Sequence, residues 1–328
     1  MTELTARPAG PAREDFAGDS VLATARRLFH ATRPKFFSAS VLPVLAGTTW
    51  GVAASGRFEL LPVLLAIAAI VFVNAGSNVL NDVGDDASGT DRDNPDRIYP
   101  YTGGSQFIQA GILDRAAMLR LGIGLLVAAV LAGLALIVLK GPVILAFGLA
   151  GILLGVLYSV GPLRLSAIGL GELAIAIACG LLPVTGSAWL QGGVIDTPLL
   201  LFSVPIGAWV AAILLVNEVP DIAADGAAGK RTLPVRLGCG RTAILYLGLQ
   251  LLAPTVVLGL ALAGPLPLAA AIVPAALILP AWRASAAIRR GLGDRAGLTR
   301  AIEATIFIHA AGTAWLAACA LFGDFSLP

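Results

Sequence analysis

Nine apolar runs, each close to the roughly 20 residues that cross a bilayer as a helix, leave this chain few environments in which it can fold. They cover about 36–56, 59–80, 116–139, 142–160, 168–190, 198–216, 243–263, 266–282 and 304–322. Of the 328 residues, 57% are hydrophobic and 13% charged, against roughly 25% charged in a typical soluble domain. Strand-period alternation is absent. In lipid the backbone must satisfy its own polar groups, so the sequence predicts an all-α polytopic membrane protein of about nine transmembrane helices.

The basic residues orient that bundle. With the N-terminus in the cytoplasm, 20 of the 22 Lys and Arg fall on the inner side, leaving only Arg57 and Lys140 outside. That bias obeys the positive-inside rule and requires an odd number of crossings. It also accounts for the bases without nucleic acid, for which no reading module is present. The expected localisation is multi-pass in a bacterial inner membrane, in contact with lipid. Residues 1–25, whose first 20 are polar and rich in Pro, Ala and Gly, are expected to form a disordered cytoplasmic tail, and 26–328 a single membrane domain. Cys179, Cys239 and Cys319 are scattered and odd in number, and His30 and His309 are isolated. The spacing suits neither disulfide nor zinc.

Polar residues then mark where chemistry happens. Asn78, Asp82 and Asp86 fall at steps of four, and Asn217, Asp221 and Asp225 repeat the spacing 139 positions later. Each set closes an apolar run on the inner side, where carboxylates are costly. If the second run continues as a helix, positions 78, 82, 85 and 89 share one stripe. Two or three carboxylates on one face repel one another unless a cation intervenes, and magnesium suits carboxylates plus phosphate oxygens. In the second set the acids share a face if Pro220 sits in a first turn or at a kink. Lys230 and Arg231 follow at once, and mixed charge of that kind suits a diphosphate.

In these motifs the chain resembles the UbiA superfamily of intramembrane prenyltransferases, most of all its MenA-like branch. The resemblance rests on Asn81-Asp82-Val-Gly-Asp85 leading to Gly89-Thr-Asp91, and on Asn217, Asp221 and Asp225 followed by Ala228-Gly229-Lys230-Arg231-Thr232-Leu233. Tyr158-Ser-Val-Gly161-Pro162-Leu-Arg164 with Gly169-Leu-Gly171-Glu172, and Arg33-Pro34-Lys35, extend it over about 32–322. Glu218, and the stretch from Asn94 to Gln106, depart from the better-known quinone enzymes.

The resemblance implies magnesium-dependent transfer of an isoprenyl chain from a polyprenyl diphosphate to an aromatic acceptor, in menaquinone or related prenylquinone biosynthesis. It implies two Mg2+ ions held by Asn81, Asp82, Asp85, Asp91, Asn217, Asp221 and Asp225, with Asn78 secondary. Lys230, Arg231, Arg92 and Arg164 become diphosphate ligands. Asp85, Asp221 and Tyr158 become catalytic, Tyr158 by placing the acceptor or facing the allylic cation with its ring. Gly161, Pro162, Gly169 and Gly171 are expected to let helices approach closely. A UbiA-type terpene cyclase or a prenyltransferase of a secondary metabolite would use the same donor site. A secondary transporter would instead hold such acids near the bilayer midplane.

Overall fold

The computed structural model describes residues 10–88, 94–159 and 164–323, and among these the regular structure is entirely helical. We number the main helices α1 (Val21–Ala31), α2 (Ser38–Ser55), α3 (Leu60–Ser88), α4 (Arg115–Lys140) and α5 (Val143–Ser159). There follow α6 (Gly171–Gly192), α7 (Thr197–Asn217), α8 (Ile222–Ala227), α9 (Leu233–Ala263), α10 (Ile278–Arg290) and α11 (Arg295–Ala320). Side-chain caps start several of them: Asp114 accepts from the Ala117 amide, Asp196 from Leu199 and Asp294 from Gly297, each satisfying an otherwise orphaned N–H.

Among the described residues, seven helical stretches are long and apolar enough to span a bilayer. The two further expected spans are helical as well. α5 forms where expected, but its described apolar stretch Val143–Tyr158 is shorter than a full crossing. The last two expected spans lie within one 53-residue helical stretch, Leu268–Ala320. The five arginines of this stretch, Arg283, Arg289, Arg290, Arg295 and Arg300, all sit on helix: α10 runs to Arg290 and α11 starts at Arg295. Hydropathy marks where a helix leaves the apolar layer, whereas Asp294 as cap and the Arg290–Asp294 ion pair decide where it ends.

α7 is the axis of the bundle. It packs against α6, α9 and α11, while α11 also lies along α2 and α10, and α3 pairs with α4 at the periphery. Phe202, Ile206, Trp209, Leu215 and Val216 of α7 are all buried. Without water to drive burial, close contact holds such helices together, so small residues mark the crossings. A Cβ on Gly180 of α6 would come within 2.4 Å of the Gly207 Cα of α7, and one on Gly47 of α2 within 2.0 Å of the Val184 carbonyl oxygen of α6. These crossings, rather than Gly169 or Gly171, carry the close approaches: a Cβ on Gly171 meets nothing nearer than 3.5 Å, and Gly169 turns the chain at φ +78°. Gly161 and Pro162 lie outside the described residues. Outward, Val127, Val130, Leu131 and Leu134 of α4 are exposed, as a lipid-facing surface requires.

Residues 10–25, the described part of the N-terminal segment, include local helical structure. From residue 10 the chain is described, with a short turn at Arg13–Phe16, and Ser20 caps α1 through the Ala23 amide at 3.1 Å. Arg27 fastens the turn by donating to the Phe16 and Gly18 carbonyls, and the Phe16 ring packs edge-on against Phe107.

Candidate active site

The two acidic segments reach the same place by different routes. α3 continues unbroken past Asp82 and Asp85. α7 stops at Asn217 and the chain turns through Glu218–Asp221 before α8 begins. Pro220 explains the break, since it supplies no amide and drives Val219 out of helical conformation. The turn closes again when the Asp225 amide bonds the Asp221 carbonyl at 2.8 Å and the Lys230 amide bonds the Asp225 carbonyl at 2.9 Å.

Four carboxylates and two cations then share one electrostatic neighbourhood. Asp85 lies in the field of Lys230, Asp82, Arg33 and Asp225, and Asp221 in that of Asp225, Lys230 and Arg33. The Lys230 Nζ sits 3.0 Å from Asp225 Oδ1. Burial pushes the Asp221 carboxyl up to about 6, opposed by the amide of Asn94, which donates to Asp221 Oδ1 at 2.6 Å. For Lys230 burial works against the charge, but Asp225, Asp85 and Asp221 outweigh it and raise the ammonium above its ordinary value.

Two of the residues that build this site were not legible as site residues. Arg33, at the entry to α2, has a left-handed backbone (φ 58°) and donates to the Tyr101 carbonyl at 3.0 Å. Its charge reaches Asp82, Asp85 and Asp221. A non-glycine residue held at positive φ is a strained choice that recurs at functional sites. Asn94 belongs to the connection 94–114 between α3 and α4, and the same connection fixes Asp82 through the Ser105 amide at 2.9 Å. One loop therefore touches both acid clusters and Arg33. The only advance signal was that this stretch departs from the resemblance.

The remaining expected site residues divide. Asn217 keeps a buried Oδ1 with no partner, as does Asp82 at Oδ1. Asn78 is tied into structure, donating to Asn74 Oδ1 at 2.9 Å and to the Thr32 carbonyl. Asn81 is exposed one helical turn before Asp85, while Asp86 accepts from Gln109 at 3.4 Å. Arg231 and Arg164 have exposed side chains, and the Arg231 amide is spent on the Ala167 carbonyl. Tyr158 stands in the field of Glu218, Glu172 and Asp225. The Glu172 and Glu218 carboxyl groups hydrogen-bond to each other, and burial, with Glu172 next, holds Glu218 well above the usual carboxylate range. Asp91 and Arg92 lie outside the described residues.

Magnesium fits this donor set. Among the described residues no three His, Cys, Asp or Glu groups stand close enough to cage an ion alone. Mg2+ does not ask for that, since it takes one or two carboxylates and completes its shell with water and substrate phosphates. Every donor is a hard oxygen, and the orphaned oxygens of Asp82 and Asn217 mark room for a cation's attraction.

Residues 40–309 match the UbiA prenyltransferase family. The chain belongs to that family. A 1,4-dihydroxy-2-naphthoate octaprenyltransferase of Mycobacterium tuberculosis is 35% identical, over 80% of this chain and 86% of that protein. A protein of the same description from Escherichia coli is 33% identical over 63% and 67%. The fold matches the solved structure of a UbiA homolog from Archaeoglobus fulgidus bound to GPP and Mg2+, with TM-score 0.59, 16% identity and coverage of 88% and 99%. A UbiA homolog from Aeropyrum pernix in its apo form gives TM-score 0.60 at 19% identity, covering 85% and 95%. As a UbiA family member with several apolar spanning helices, the chain is an integral, multi-pass prenyltransferase.

Proposed function

We propose that this enzyme transfers a polyprenyl chain from its diphosphate to a dihydroxynaphthoate-type aromatic acceptor, as a step of menaquinone biosynthesis. The convergence of Asp82 and Asp85 with Asp221 and Asp225 around Lys230 and Arg33 carries the reading. It is supported by relatives described as 1,4-dihydroxy-2-naphthoate octaprenyltransferases and by a neighbouring fold bound to GPP and Mg2+.

In this reading Asp85, Asp221, Asp225 and Asn217 hold magnesium, two ions when the donor is bound, with Asp82 and Asn81 in support. Magnesium supplies positive charge against the diphosphate oxygens and so favours its departure. Lys230 and Arg33 pair with the same oxygens, and Arg92, Arg231 and Arg164 are the further bases available as the donor enters. The allylic C–O bond breaks with its electron pair going to diphosphate. A ring carbon of the acceptor forms the new C–C bond, and the ring regains aromaticity by losing a proton to water or, where that carbon bears the carboxylate, by losing carbon dioxide, the broken bond's electron pair returning to the ring. Tyr158, beside the Glu172–Glu218 pair, places the acceptor and faces the developing allylic cation. The helix-lined interior keeps water from that cation. The active site opens on the cytoplasmic side, where the basic segments lie, and the prenyl tail runs among apolar helices into lipid.

Purified membranes given a polyprenyl diphosphate, 1,4-dihydroxy-2-naphthoate and magnesium should form a prenylated naphthol detected by mass spectrometry, and chelation should stop it. A cyclised hydrocarbon from the donor alone would replace this reading with a terpene cyclase.

A further inference from the structure

Helix α1 is turned inside out. Its sequence, Val21 to Ala31, segregates Val21, Leu22, Ala25, Leu28 and Phe29 from Arg26, Arg27 and His30 around the helix axis. In a water-soluble domain the apolar stripe would face the protein. Here it does not: on the polar side Arg27 donates to the Phe16 and Gly18 carbonyls, and the Phe16 ring of the preceding turn lies 5.4 Å from Arg26 and edge-on to His30, both of which stay exposed. The apolar side is mostly outward, with Val21 88%, Leu22 79% and Phe29 54% exposed and Leu28 half-buried at its edge. The spanning helices behave the same way, with their leucines and valines outward because their solvent is lipid.

The chain also places α1 at the right depth. It ends at Ala31, and the first spanning stretch starts at Pro34. Its outward stripe runs through Phe29 to Phe37 at the foot of α2, the two rings meeting edge-on at 6.2 Å. An apolar face continuous with a spanning helix, rimmed by exposed Arg26 and Lys35, matches an anionic lipid surface. We infer that α1 lies in the headgroup region of the membrane, its Val21, Leu22 and Phe29 stripe among the upper acyl chains and its rim bases on anionic lipid. The same helix leads directly into Arg33, so the bilayer surface sets the position from which that guanidinium reaches the acids.

Site-directed spin labels on the full-length protein, with the native cysteines replaced, would test this in phosphatidylcholine–phosphatidylglycerol bilayers. Labels at Leu22 and Phe29 should be reached by oxygen in preference to a nickel chelate and sit roughly 5–10 Å below the phosphates, while one at Thr24 shows the reverse. Prenyl transfer by each labelled protein confirms its fold. Should labelling disturb it, Phe29→Trp is gentler: lipids brominated high on the chain should quench the added emission, and Arg26→Glu should weaken that quenching in anionic bilayers only. Chelate access at Leu22 and Phe29 equal to that at Thr24 overturns the inference. So does strong spin–spin broadening at Phe29, which would mean that a second copy covers the stripe.

Discussion

α3 and α7 end in the same kind of acidic motif, yet they occupy opposite positions in the bundle. Of the apolar stretch in Thr197–Asn217, 78% is buried inside the protein, against 22% for Leu60–Ala87. α7 is clamped by α6, α9 and α11, so Asp221 and Asp225 hang from the most fixed element of the fold. α3 packs chiefly on α4, and less on α2 and α6, with most of its apolar stretch outward, and Asp82 at its end is steadied by the Ser105 amide of the 94–114 connection. The site is thus one rigid jaw and one jaw steadied by a loop.

The largest expected effect is on the rigid jaw. Asp221→Ala should lower prenyl transfer about a thousandfold, with insertion and detergent extraction unchanged. Retained turnover in excess magnesium would break the equivalence between this carboxylate and the site. Next comes the anchoring of α7: Trp209→Ala empties a buried ring site against Gly312 and should cost about 3 kcal/mol of stability. Val73→Ala, at an exposed position of α3, should cost almost nothing by the same thermal assay. Equal losses would erase the contrast between core and periphery.

Protons and metal sharpen the comparison further. The Asp221 carboxyl is raised from 3.8 to about 6, so its contribution to folding is full below pH 3.8 and is lost as pH rises through about 6. Metal-free protein should therefore melt lower at about pH 7.5 than at about pH 5, and magnesium should raise Tm more at the higher pH. A pH-independent magnesium effect would remove Asp221 from the cation's ligands. The smallest change is expected at the loop: Asn94→Ala deletes the amide on Asp221 and should raise the donor KM about tenfold with the acceptor KM unchanged.

Much of this was legible because lipid is a demanding solvent. Apolar runs announced the helices, and acids at their ends pointed to the candidate site. Asp221 and Asp225 stood out by local spacing, the register at Asn81, Asp85 and Asp91 came from the resemblance, and Pro220, expected in a first turn or at a kink, lies where α7 gives way to α8. Arg33 and Asn94 were not legible, because they join the site from 49 and 127 positions away from Asp82 and Asp221; no local pattern records a meeting made by packing. The crossings were misplaced for a related reason: a glycine's neighbours at Gly180 and Gly207 are set by how two helices meet. α1 was missed because average composition hides a stripe.

The turn at Ala176–Leu181 in α6 is wound as π-helix. Such a turn holds one residue more than the α form, so it behaves as a local insertion. Upstream of it stands Glu172 beside Tyr158, and downstream the Val184 face against Gly47. Removing one residue there would swing those two halves by about 100° relative to each other. The extra residue is therefore a phase shifter: it lets one rod serve the reaction chamber at its lower end and the helix interface at its upper end, each in its own register.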